Sequence, residues 1–184
     1  DNLLTKDTYG DWCVPPESLE LIHSKDPART TNGELIASAY YYHLLQIMKK
    51  FATLTEQSNS DVLYYENLAQ RIKLAFNAKF FNPKNNQYAN NTVTANLLPL
   101  AFGMVSNQFE DKVFQNIVHE IEVTNKGHIS TGVIGTQFLM RTLSAFGRPD
   151  LSYQLASNTT YPSWGYMTKN GATTIWELWN GNTA

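Results

Sequence analysis

One carboxylic acid, Glu177, stands between Trp176 and Leu178 at the end of an aromatic stretch that runs from Tyr161 to Trp179. A carboxyl group can take a proton from water or give one to a leaving group. The three Trp and two Tyr of the same stretch offer flat apolar faces to the C–H side of a sugar ring. Pro162, Gly165 and Gly171 interrupt the backbone. Tyr161, Trp164 and Trp176 are therefore expected on turns and element ends rather than on one periodic face. Thr173 or Thr174 is placed to cap a short helix opened by Ile175, which would set Glu177 in its first turn beside unpaired backbone N–H groups. The same residues also suit a plainer arrangement, a helix-start glutamate among packed core aromatics.

Three further positions carry chemistry. In the run Tyr9, Gly10, Asp11, Trp12, Asp11 could bond a sugar hydroxyl while the indole packs on the ring, or close an Asx turn beside a core Trp. His128 lies in a tight loop between Gly127 and Gly132 with Ser130 and Thr131, where it could bond a ligand, orient a carboxylate or cap a helix end. Cys13, the only cysteine, reads as a small buried apolar residue, because nothing cationic or helix-terminal adjoins it. His43 falls on an apolar helical stripe without a partner at metal-ligand spacing and is assigned to the core. No phosphate loop, Cys/His cluster or nucleophile elbow occurs in the sequence, so neither a metal nor a cofactor is expected.

The elements that must position these residues are helical. Residues 1–32, with prolines at 15, 16 and 27, read as a long ordered loop on the substrate side. Thr31 and Glu34 have capping-box spacing before a helix of about six turns, marked by Ile36, Ala39, Tyr40, His43, Ile47, Phe51 and Leu54. Three- and four-residue apolar steps predict further helices over 61–81, 94–102 (with Pro99 inside), 107–125, 132–146 and 150–157. The turn over 84–87 reads as solvated loop. Sustained strand alternation is absent, so residues 33–160 are expected to form antiparallel helical hairpins. Residues 161–184 would follow as a loop carrying Glu177 and a truncated helix. Neither tetratricopeptide nor ankyrin periodicity is found.

Composition narrows the partners. With 184 residues, 42% hydrophobic and 16% charged, the chain has the makings of one globular core. A net charge of -2 makes no electrostatic case for nucleic acid or an anionic membrane, and a neutral ligand suits it better. No apolar run is long enough to span a bilayer, and residues 1–8 lack the charged and apolar regions of a signal peptide. One cysteine excludes an internal disulfide and leaves the compartment open. The chain stops about one turn beyond its aromatic motif, and so is expected to be a piece of something larger.

With those residues placed, the chain resembles the C-terminal part of the catalytic domain of bacterial α-L-rhamnosidases, glycoside hydrolase family 78. The matching pieces, in the family's order, are Tyr9 to Trp12, the tyrosine-rich helix from Ile36 to Tyr42, the loop from Gly127 to Gly132, and Tyr161 to Met167 running into Gly171 to Glu177. The resemblance implies an all-α fold, an (α/α)6 barrel incomplete in this chain, and hydrolysis of terminal α-L-rhamnosyl residues with inversion. On this sequence Glu177 matches the general base, and Trp12 resembles an aromatic lining the rhamnose pocket. Asp11, His128, Tyr161, Trp164 and Trp176 complete the expected sugar-binding set. The implied partners are a rhamnose-containing glycoside or polysaccharide and the remainder of the same catalytic domain.

Inversion needs two carboxyl groups about 6.5 to 9.5 Å apart, with water between base and sugar. The family's general acid belongs to an Asp/Glu/Arg-rich segment that would precede residue 1, and nothing here matches it. Asp11 is the conceivable substitute, but its motif looks like the family's sugar-binding loop. The expectation is a fragment inactive alone. A non-catalytic helical carbohydrate-binding module, another (α/α)6 glycosidase and a helical interaction scaffold are the competing readings.

Overall fold

The first long helix, α1 (Gly33–Leu54), begins at Asn32, whose side-chain oxygen accepts the Glu34 and Leu35 N–H groups at 2.8 and 3.4 Å. The capping box expected from Thr31 and Glu34 is therefore not the cap. Thr31 instead shares a 2.6 Å hydrogen bond with Thr92, and Glu34 pairs with Lys79 of the second helix. In the computed structural model, which describes residues 2–181, α1 is followed by α2 (Asn59–Phe80), a two-residue β-hairpin of β1 (Phe81–Asn82) and β2 (Gln87–Tyr88), and α3 (Val93–Ala101). Then come α4 (Asn107–His119), α5 (Val133–Ala145), α6 (Pro149–Ser157) and the short α7 (Trp164–Lys169).

Each helix of α1 to α6 lies where apolar spacing predicts one. Caps set the starts of α2 and α3 two residues and one residue earlier than the apolar pattern alone does. Ser58 caps α2 by accepting the Asp61 N–H, and Thr92 caps α3 by accepting the Ala95 N–H. Pro99 is accommodated inside α3, which is buried from Val93 to Leu100. Beyond α4 the chain widens into a π turn (Glu120–Thr124), with the Asn125 N–H bonded five residues back to the Glu120 carbonyl at 2.9 Å. The segment 84–87, expected as solvated loop, closes the β-hairpin. Tyr88 pairs with Phe81 across it, is fully buried, and donates its hydroxyl to Asn77 Oδ1 at 2.6 Å. Strands of two residues are too short to show alternation.

Helices pair in sequence order, α1 with α2, α3 with α4 and α5 with α6, while α3 also packs on both α1 and α5. The result among the described residues is three helical hairpins, with α1, α3 and α5 side by side in one row. Leu35, Ile72, Leu97, Leu98, Ile117 and Leu139 are fully buried between them. His43 stacks flat on Phe102, centroids 4.2 Å apart, and burial pushes its pKa down. No helix of the described residues is long and apolar enough to cross a membrane, and no three His, Cys, Asp or Glu among them are grouped to hold a metal ion.

Candidate active site

The site is assembled at the N-terminal ends of α1 and α5, where the loop carrying Asp11 and Trp12 is pressed between them. Gly10 turns the chain with φ of +64°, and a Cβ there would lie 2.5 Å from the Thr31 carbonyl oxygen. On the other side a Cβ on Gly132 would lie 2.1 Å from the Trp12 carbonyl oxygen. That close approach is used: the Val133 N–H donates to the same oxygen at 2.8 Å.

Asp11 has a task other than the sugar contact expected of it. Gly132, the residue before α5, offers no side-chain cap. The Asp11 carboxylate, 3% exposed, takes its place. It accepts the N–H groups of Gly132, Ile134 and Gly135 at 2.8, 3.0 and 3.1 Å, and the Thr94 hydroxyl of α3. Burial pushes the Asp11 pKa up, opposed by the Thr94 hydroxyl and the three N–H groups. With four donors already on it, this carboxylate is a structural acceptor that fixes α5 and, through it, the Trp12 backbone. Trp12 itself is 49% exposed, with the Tyr9 ring beside it at 6.4 Å between centroids.

Glu177 does not sit in a helix. Residues 175–181 have no helical turn, and their one internal backbone bond runs from the Gly181 N–H to the Leu178 carbonyl at 3.0 Å. The helix expected from Thr173 and Thr174 does not form, because Trp179 is drawn into the core against Trp164, 5.8 Å between centroids, and Trp176 packs face-to-backbone on Gly181. Those anchors leave Glu177 exposed between them. Among the described residues its carboxylate receives no hydrogen bond.

Two clefts meet at Glu177. One, of about 570 Å³, is lined by Tyr9, Asp11, Trp12, Cys13 and His23 as well as Glu177. The other, of about 450 Å³, is lined by Val133, Gln137, Trp164, Ile175 and Trp176 as well as Glu177. The Cys13 thiol is pushed up to about 11 by burial and then by the nearby Glu177 charge, which keeps it protonated and un-nucleophilic at neutral pH. His23 and Gln137 lie outside every motif, Tyr9 and Ile175 lie inside two of them, and none of the four is among the expected site residues.

Two expected contacts lie elsewhere. His128 lines neither cleft. Its Nδ1 faces the carbonyls of Lys126 and Asn125 at 2.9 and 3.2 Å, and its Nε2 meets the Thr160 hydroxyl at 2.8 Å. Both ring nitrogens are thus engaged within the protein, and neither is left for a ligand. His128 thus ties the loop before α5 to the segment after α6. Tyr161 is also framework: its hydroxyl donates to the Pro16 carbonyl at 2.9 Å, and burial pushes its pKa up to about 12.

Known proteins resemble this chain over nearly its whole length. The family model described as the bacterial alpha-L-rhamnosidase 6 hairpin glycosidase domain matches residues 1–184. An alpha-L-rhamnosidase of Alteromonas sp. is 36% identical over 182 residues, 98% of this chain and 19% of the relative. One from Formosa agariphila is 33% identical over 174 residues, 94% of this chain and 18% of the relative. The solved alpha-L-rhamnosidase from Dictyoglumus thermophilum superposes with a TM-score of 0.86 at 34% identity, over 97% of this chain and 19% of that one. The Streptomyces avermitilis alpha-L-rhamnosidase, solved with L-rhamnose, superposes with a TM-score of 0.84 at 29% identity, over 97% of this chain and 16% of that one. The chain thus spans about a fifth of the length of these relatives. Its three hairpins are the expected incomplete part of an (α/α)6 barrel, and the chain belongs to the bacterial alpha-L-rhamnosidase six-hairpin glycosidase family.

Proposed function

We propose that this chain supplies the general base and part of the sugar pocket of an enzyme that hydrolyses terminal α-L-rhamnosyl residues, from a glycoside or polysaccharide, with inversion at the anomeric carbon. The observation that carries the proposal is the position of Glu177: exposed, without a hydrogen bond among the described residues, and shared by two clefts with Trp12 in one and Trp164 and Trp176 in the other. A base must hold a free lone pair where water and sugar can reach it, and Glu177 meets that requirement while Asp11 does not.

In the proposed step Glu177 takes one proton from a water molecule as the water oxygen bonds to the anomeric carbon. The bond from that carbon to the leaving oxygen breaks, and a general acid protonates the leaving oxygen. The acid is assigned to a part of the protein outside these 184 residues, and this chain alone is therefore expected to be inactive. Trp12, Trp164 and Trp176 are assigned to packing on the apolar faces of the sugar.

Proton NMR of the first-formed sugar tests the stereochemistry. Turnover of an aryl α-L-rhamnoside by the full-length protein should release β-L-rhamnose before mutarotation sets in, whereas initial release of the α-anomer would mean a retaining enzyme and no base of this kind.

A further inference from the structure

A base on irregular backbone needs something other than a helix to hold it in register. The amide of Asn180, three residues past Glu177, donates to two carbonyls on the opposite side of the site, Leu19 O at 3.0 Å and Leu21 O at 2.7 Å. Both acceptors are carbonyl oxygens, so the side chain must present its NH2 group, and each of the two hydrogens has one acceptor.

The loop that supplies those carbonyls is itself clasped. Glu17 reaches across it, with Oε1 accepting the Ser24 hydroxyl and the Asp26 N–H, each at 2.7 Å, and Oε2 accepting the Lys25 N–H at 3.4 Å. Its base is pinned by Arg29 Nη1 donating to the Pro15 carbonyl at 3.1 Å and by Tyr161 donating to Pro16. His23 and Ser24 of the same loop line the larger cleft with Glu177. One wall of that cleft and the segment that carries the carboxylate are thus fastened to each other through the Asn180 amide.

We infer that Asn180 is a positioning residue for Glu177, coupling the carboxylate to the Glu17-clasped loop through the Leu19 and Leu21 carbonyls. The inference rests on the reading of Glu177 as the base. A misplacement of about 1 Å costs on the order of 100-fold in rate, and a side chain that acts only by holding the base loses its effect once the base is gone.

The test is kinetic, in the full-length protein, with a chromogenic aryl α-L-rhamnoside. Asn180→Ala should lower kcat about 10- to 100-fold while KM moves less than about threefold. In the Glu177→Gln background the same substitution should change the residual rate less than about twofold. Glu17→Ala, on the exposed side of the loop, should lower kcat in the same direction by a smaller factor, and it carries the test should Asn180→Ala not fold. A purely structural role would lower Tm, leave kcat of the folded enzyme within about twofold, and leave the two substitutions additive; that result overturns the inference. Should Glu177→Gln itself keep wild-type turnover, the base assignment fails instead, and the two failures are told apart by that one variant.

Discussion

The carboxylate of Asp11 closes the N-terminus of α5, accepting the N–H of Gly132, 121 residues further along the chain, at 2.8 Å. One buried acid therefore joins the loop that presents Trp12 to the helix that borders the second cleft. Replacing it with alanine would strand three backbone N–H groups and the Thr94 hydroxyl in a buried site. Loss of a cap plus buried unsatisfied donors should cost about 2–4 kcal/mol. Asn at this position keeps one acceptor oxygen and should cost less. Urea denaturation of the protein checks both values, and an Asp11→Ala midpoint equal to wild type would contradict the capping role.

Gly132 makes the second half of this contact. Any side chain there meets the Trp12 carbonyl oxygen at 2.1 Å and the Asp11 carbonyl oxygen at 2.6 Å, both backbone atoms that cannot swing aside. Gly132→Ala should push the Trp12 loop off α5 and raise KM for an aryl rhamnoside by about tenfold or more. Steady-state kinetics, with Trp12 solvent quenching read alongside, would follow the displacement.

Trp12 and Trp179 should separate binding from stability. Trp12 is 49% exposed and Trp179 is 6% exposed. Trp12→Ala is expected to raise KM while leaving Tm within a few degrees, since little packing is lost. Trp179→Ala removes a core indole that also holds Trp164, and should destabilise by about 3–5 kcal/mol. Paired kinetics and melting curves distinguish the two, and the reverse pattern would refute the assignment of Trp12 to the pocket.

The clasp of Glu17 predicts a pH dependence of defined sign. Burial acts upward on this carboxyl, but hydrogen bonds from Ser24, Asp26 and Lys25 outweigh it and hold the pKa at about 2, below the ordinary 4.5. A depressed carboxylate stabilises the fold above its ordinary pKa, and that contribution is lost as pH falls through the depressed value. The stabilisation from the clasp should be complete above about pH 4.5 and decline progressively from there to about pH 2, where the carboxyl itself takes up its proton. A carbon-13 titration of the Glu17 carboxyl should give a midpoint near the lower figure, and one near 4.5 would show the clasp open in solution.

The hairpins were legible because a helix repeats its apolar contacts every three or four residues, and Gly147 and Asn82 before Pro83 mark ends. Caps were less so: Asn32 and Thr31 are both capping types, and only the turn geometry gives the role to Asn32. The six-residue α7, capped by Ser163 accepting the Tyr166 N–H at 3.0 Å, was hidden by the Pro and Gly around it. Around Glu177 the motif named the residue but not its backbone. Two threonines before an apolar residue look like a helix start, and nothing local reveals that Trp176, Trp179 and Asn180 pull the chain into an irregular path. For Asp11 and His128 a backbone-bonding role is among the sequence's alternatives, but their remote partners, α5 for one and Thr160 for the other, are not legible there.

The most direct measurement is made on Glu177→Gln in the full-length protein, combining turnover of an aryl α-L-rhamnoside with calorimetric binding of L-rhamnose. Loss of kcat by about a thousandfold or more, with affinity for the sugar held within a few-fold, is the predicted result. Wild-type turnover in that variant would contradict it.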